Sequence, residues 1–117
     1  MKGKTPSAEQ KRFYDLLARE IGCIACYRDT AGMSRNTYCS IHHIDGRTKP
    51  HAHWTVLPLC AGHHQDGTGQ PGLIAVHPWK RRFEDCYGSQ MTLLRDCVLQ
   101  LRDKGHEIPV ALDEVLQ

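Results

Sequence analysis

With 117 residues, a hydrophobic fraction of 40% and a formal charge of +2, the chain has room for one domain and a modest core. The charge is compatible with a polyanionic partner without requiring one. No apolar run approaches the ~18 residues of a membrane span, and Met1-Lys2-Gly3-Lys4-Thr5-Pro6 lacks the apolar segment of a signal peptide. A cytoplasmic protein is therefore expected. In a reducing compartment the six cysteines read as metal ligands, a redox pair or buried thiols rather than as three disulfides. Only two Phe and two Trp are available to fill a core, so a structural metal would be a useful supplement. Eight histidines are the compositional outlier.

In chain order, Ser7-Ala8-Glu9-Gln10 is a capping box that opens a helix. Phe13, Leu16, Leu17 and Ile21 recur along it at helical spacing, and Gly22 stops it. Lys11, Arg12 and Arg19 fall on its solvated face, or else touch phosphate. Cys23-Ile24-Ala25-Cys26 follows, with a polar, Gly-containing loop expected from Tyr27 to Asn36. Thr37 to His42 reads as a strand whose alternation separates Cys39, Ile41 and His43 from Ser40 and His42. Cys39 is read as a small core residue. Asp45-Gly46 turns the chain into a basic loop, and a second strand is expected over Trp54 to Leu57, ended by Pro58.

From Cys60 a short helix should carry His63 and His64. A flexible Gly/Pro loop, 66–72, comes next, then the apolar run Leu73-Ile74-Ala75-Val76, which delivers His77. Pro78 fits the first turn of a helix bearing Trp79, Phe83 and Tyr87, ended by Gly88. Ser89 caps the last long helix, with Met91, Leu94, Val98 and Leu101 on its apolar face beside Leu93 and Cys97, and Gly105 closes it. Cys86 and Cys97 are buried thiols or bystanders. The tail from His106 to Gln117 fits a strand, a docked turn or a partner-binding peptide.

Cys23 and Cys26, with Cys60 and His63 at the same spacing further on, form the Cys3His ligand set of a tetrahedral structural zinc. A redox pair would not call for the second pair. Consecutive strand residues point in opposite directions, so His42 and His43 divide their work: one ligates, the other faces an attacking water. His64 and His77 complete, with His42, a three-histidine set that leaves positions open for phosphate and water. The doublet His63-His64 divides in the same way, His63 toward the zinc and His64 toward the catalytic ion. Arg47, Lys49, Lys80, Arg81 and Arg82 flank this centre and are candidates for phosphate contact, or else a solvated face.

Ile41-His42-His43-Ile44-Asp45-Gly46-Arg47-Thr48, Leu57-Pro58-Leu59-Cys60, His63-His64-Gln65 and Val76-His77 together resemble the HNH nucleases. With Cys23-Ile24-Ala25-Cys26-Tyr27 the chain is more closely similar to the phage-borne recombination-enhancement (Ref-type) nucleases. The resemblance runs from about Lys2 to His77. It implies an α+β domain over 1–117 with a ββα-metal (HNH) core and zinc knuckle, flanked by an N-terminal helix and C-terminal helices. It implies DNA endonuclease activity with Mg2+ or Mn2+ beside the structural Zn2+, dependence on RecA filaments, and a bacterial host cell with a phage or prophage gene. By position it gives His43 the general-base role and His42, His64 and His77 the catalytic metal. The middle Asn of HNH motifs has no counterpart; Thr55 or His53 stands nearby. The long basic N-terminal arm of some Ref-type relatives is not seen in this sequence.

A non-catalytic zinc module that binds nucleic acid or a partner would explain Cys23, Cys26, Cys60 and His63 equally well. It would leave His42, His43, His64 and His77 without a task. A thiol oxidoreductase would make Cys23 and Cys26 a redox pair.

Overall fold

The computed structural model describes residues 5–117. Helix α1, Ala8–Leu16, begins at the expected capping box: Ser7 Oγ accepts from Gln10 N at 3.1 Å, and Gln10 Oε1 accepts from Ser7 N at 2.8 Å. The helix widens into a π turn over Leu17–Ile21 and stops at Gly22, whose φ of +73° suits glycine. A side chain there would also meet Asn36 O at 2.7 Å. Phe13, Leu17 and Ile21 point into the core as the periodicity predicts.

Helix α2, Ile24–Asp29, occupies part of the stretch expected to be loop. The knuckle itself starts it, because Cys23 Sγ accepts from Cys26 N and so acts as an N-cap. Thr30 ends it with its hydroxyl on Cys26 O at 3.1 Å. Strand β1, Ser40–His43, starts three residues later than expected. The segment before it is committed to the knuckle: Asn36 O accepts from Cys23 N, and Asn36 Oδ1 accepts from Tyr38 N.

Strand β2, Val56–Leu59, pairs antiparallel with β1 in the register Ser40–Leu59, Ile41–Pro58, His42–Leu57 and His43–Val56. It begins after a turn in which Trp54 N and Thr55 N both donate to His51 O. Pro58 lies within the strand rather than ending it. Ile44 N donates to Thr55 O at 2.9 Å, and the antiparallel alternation from there places Ile41–Pro58 at a pair that forms no ladder bond. Helix α3, Ala61–His64, follows at once. This hairpin and short helix, packed on helices, make a mixed α+β domain.

Loop 66–72 folds back on itself rather than swinging free. Gly69 N donates to Leu73 O, Leu73 N to Gln70 O, and the Arg82 guanidinium to Gly69 O. Helix α4, Lys80–Tyr87, begins two residues beyond Pro78, which therefore precedes its first turn. Helix α5, Gln90–Asp103, is capped by Ser89 and buries Leu93, Leu94, Cys97, Val98 and Leu101; Met91 is only partly covered. Cys86 is exposed. The tail forms helix α6, Val110–Leu116, anchored by the fully buried Leu112 and an Arg102–Asp113 ion pair. None of the helices is long and apolar enough to cross a membrane, among the described residues.

The loop also fixes how far α3 stands from the segment that carries His77. A methyl group on Gly67 would lie 2.1 Å from Leu73 O and 2.2 Å from Gly62 O, so two backbone segments would have to part. Gly67→Ala is expected to destabilise the fold by about 1–3 kcal/mol, read as a lower urea midpoint with unchanged slope. A midpoint equal to that of the parent would show that this approach is not tight.

Candidate functional site

Cys23 and Cys26 from the start of α2 meet Cys60 and His63 from the start of α3. One ligand atom from each lies within 4.8 Å of all the others. His63 Nδ1 stands 3.2 Å from Cys60 Sγ, 3.5 Å from Cys26 Sγ and 3.6 Å from Cys23 Sγ, and the Cys26 and Cys60 sulfurs are 3.7 Å apart. A tetrahedron with metal–sulfur bonds of ~2.3 Å and a metal–nitrogen bond of ~2.0 Å has edges of about 3.8 Å between sulfurs and 3.5 Å from sulfur to nitrogen. The cluster fits an ion such as zinc.

The rest of His63 is fixed from behind. Its Nε2 donates to Asp29 Oδ2 at 3.0 Å, and the Tyr87 hydroxyl donates to the same carboxylate at 2.8 Å. This hydrogen bond selects the tautomer that presents Nδ1 to the thiols. Burial, and then Asp29, push the Tyr87 hydroxyl above its ordinary range, so it stays a donor. Burial also raises the Cys23 and Cys26 thiols, so they stay protonated unless a cation beside them compensates the burial. Cys39 packs beside the cluster, partly buried, and is not one of the four; burial first, then Cys60 and Cys26, raise it to about 11.

Adjacent residues on a helix point about 100° apart, so His64 leaves the thiols and joins a second group. Ring nitrogens of His42, His64 and His77 also converge within 4.8 Å, with ring centroids 5.1, 5.2 and 5.6 Å apart. Backbone bonds from Val76 N to His63 O and from His77 N to His64 O hold the two segments together. His42 is 3% exposed, His64 half-buried and His77 exposed, so the centre opens to solvent on one side. His42 Nε2 lies 2.7 Å from Gln90 Oε1, and Gln90 Nε2 donates to Glu84 Oε2 at 3.1 Å. A carbonyl oxygen only accepts, so Nε2 carries the proton and Nδ1 keeps a lone pair for a cation. Burial, reinforced by the neighbouring imidazoles, lowers His42 to about 4 and lowers His64 as well, keeping both neutral as ligands must be.

His43 turns to the other face of β1. Its Nε2 lies 3.1 Å from His53 Nδ1, and the Tyr14 hydroxyl donates to His53 O at 2.7 Å. Burial, then the Arg47 guanidinium and the neighbouring imidazoles, bring His43 down to about 4. Of the two residues near the missing Asn, His53 reaches His43, while the Thr55 hydroxyl turns back to its own loop. His51 is engaged by Asp45 at 3.2 Å, and His106 by Glu20 at 2.7 Å. Neither Asp45 nor Asp66 joins a ligand cluster among the described residues.

Arg47 and Lys49 are exposed and line a cavity of about 450 Å³ whose wall includes His53. Lys80 and Arg81 are exposed on the first turn of α4, and Arg82 braces loop 66–72. Arg47, Lys49, Lys80 and Arg81 form no ion pair among the described residues. Sequence reasoning missed Asp29, Tyr87, Gln90 and Glu84. Asp29 sits where the sequence predicts a loop, Tyr87 and Gln90 lie 24 and 48 residues from the imidazoles they touch, and Glu84 acts through Gln90.

Asp29→Ala removes the carboxylate behind His63 while leaving all four ligands. It is expected to weaken zinc binding by about 10–100-fold in a chelator competition. Affinity equal to that of the parent protein would remove Asp29 from the centre.

The family model described as recombination enhancement, RecA-dependent nuclease matches residues 6–102, a span that contains both clusters, His43, His53 and all five flanking cations. The chain belongs to the family of recombination-enhancement, RecA-dependent nucleases.

Proposed function

We propose that the protein is a metal-dependent DNA endonuclease with a ββα-metal (HNH) core, acting with RecA filaments in recombination. The observation that carries this reading is the placement of His43. It follows a member of the three-histidine cluster directly in sequence, faces the other side of the strand, and has its ring engaged by His53. A structural zinc site alone would give these four imidazoles no task.

A divalent cation such as Mg2+ or Mn2+ held by His42, His64 and His77 would neutralise charge on the scissile phosphate and the leaving oxygen. Gln90 orients His42 through its Nε2 proton. In the tautomer in which His43 Nε2 donates to His53 Nδ1, His43 Nδ1 carries the lone pair that takes a proton from the attacking water. Burial keeps that ring neutral and therefore able to accept. Arg47, Lys49, Lys80 and Arg81, with Arg82 braced on loop 66–72, contact phosphates of the strand. The Cys3His cluster holds a structural zinc that anchors α3. The protein works in the cytoplasm of a bacterial host, where RecA filaments form, and derives from a phage or prophage.

The test incubates supercoiled and single-stranded DNA with Mg2+ or Mn2+, with and without RecA and ATP. Cleavage in the RecA lanes is expected, with His43→Ala slower by about 10²–10⁴-fold at unchanged zinc content and melting temperature. Equal cleavage by His43→Ala would remove the base. Cutting in every lane would make the chain a general nuclease, and cutting in none would favour a zinc-stapled binding module.

A further inference from the structure

Between Tyr38 and His64 the surface opens into a cavity of about 500 Å³, lined also by Ser40, Gly62, Gln65 and Asp66. Its far wall is a member of the three-histidine centre, yet nothing in the hydrolytic chemistry uses the space itself. Tyr38 is 91% exposed, so nearly the whole ring is open to a partner. The backbone under it is pinned. Tyr38 N donates to Asn36 Oδ1 at 3.1 Å, Asn36 Nδ2 donates to Cys26 Sγ at 3.7 Å, and Asn36 O accepts from Cys23 N at 2.8 Å. The ring thus projects from a base tied to the Cys3His knuckle, with its faces open.

We propose that this cavity receives one unpaired DNA base beside the scissile phosphate, stacked on Tyr38. The inference rests on the nuclease reading for its substrate and extends it to the substrate's form. An exposed aromatic ring that stacks on no other ring among the described residues is the kind of platform on which proteins hold single-stranded bases. The charge of the lining agrees. No Lys or Arg lines the cavity, and its carboxylate is Asp66, so it suits the amino-bearing edge of a base and repels a phosphate. The cations lie elsewhere, with Arg47 and Lys49 lining a separate cavity beside His53. A strand crossing the site would rest its backbone on those cations and turn one base toward Tyr38. A paired base inside a duplex cannot stack in this way, so the pocket selects a displaced or single strand.

The test uses the zinc-replete full chain and single-stranded oligonucleotides carrying 2-aminopurine at successive positions, in buffer without Mg2+ or Mn2+. Stacking on Tyr38 is expected to quench fluorescence at one position only. Tyr38→Ala should abolish that quench and weaken binding by about 5–100-fold, while Tyr38→Phe keeps both. An abasic residue at the quenched position should weaken the parent protein by a similar factor and leave Tyr38→Ala unaffected further. Equal binding by Tyr38→Ala, or a weakening independent of position, would overturn the pocket. Binding is read without cleavage, so the two readings fail separately. A chain that quenches one position and never cuts keeps the pocket and loses the nuclease, and a chain that cuts with no position-dependent quench does the reverse.

Discussion

The site depends on one four-residue helix that sends two neighbouring imidazoles to different centres. His63 and His64 are consecutive on α3, and the helical rotation between them turns one toward three sulfurs and the other toward His42 and His77. The two clusters therefore share a backbone. Whatever fixes His63 also fixes His64, and the bonds from Val76 N and His77 N to the carbonyls of the doublet extend that restraint to the third histidine. A helix of this length has little stability of its own. Its position comes from Cys60 and His63 in the knuckle and from the hairpin that enters it.

The C-terminal helices serve the same end from behind. Tyr87 at the end of α4 holds Asp29 against His63, and Gln90 at the start of α5, itself held by Glu84, engages His42. Both centres are thus backed by hydrogen bonds from a stretch of seven residues, Glu84 to Gln90. Ligand rings held in this way present a defined nitrogen, which is what separates a preorganised ligand set from a chance gathering of histidines. Gln90 is buried although polar, at 3% exposed, and both its amide oxygen and its amide nitrogen are hydrogen-bonded, to His42 and Glu84.

Much of this was legible in the sequence because it is written locally. The Cys-x-x-Cys and Cys-x-x-His spacings, the strand alternation at His42-His43 and the Ser7 capping box are short-range patterns, and the structure brings the residues of each together or apart as the pattern predicts. What escaped was long-range. Asp29, Gln90 and Glu84 carry no periodic mark, Tyr87 is marked only as an apolar helix position, and the links of Asp29 and Tyr87 to His63 and of Gln90 to His42 span 34, 24 and 48 residues. Pro58 misled because a strand-ending rule ignores which strand positions form ladder bonds. The start of β1 shifted because Asn36 and Tyr38 serve the knuckle. Helix α6 was hidden by a short apolar pattern that a strand or a docked turn fits equally well.

In the proposed reading α3 joins two chemically different candidate metal centres, one of sulfur and nitrogen and one of nitrogen alone. Cobalt(II) added stepwise to the zinc-free protein and followed by absorption tests this directly. The first equivalent should bring thiolate-to-metal charge-transfer bands from the Cys3His site. A second should bind without adding to those bands and should be lost on its own in His77→Ala. Saturation at one equivalent, or sulfur bands that grow through both additions, would contradict the account.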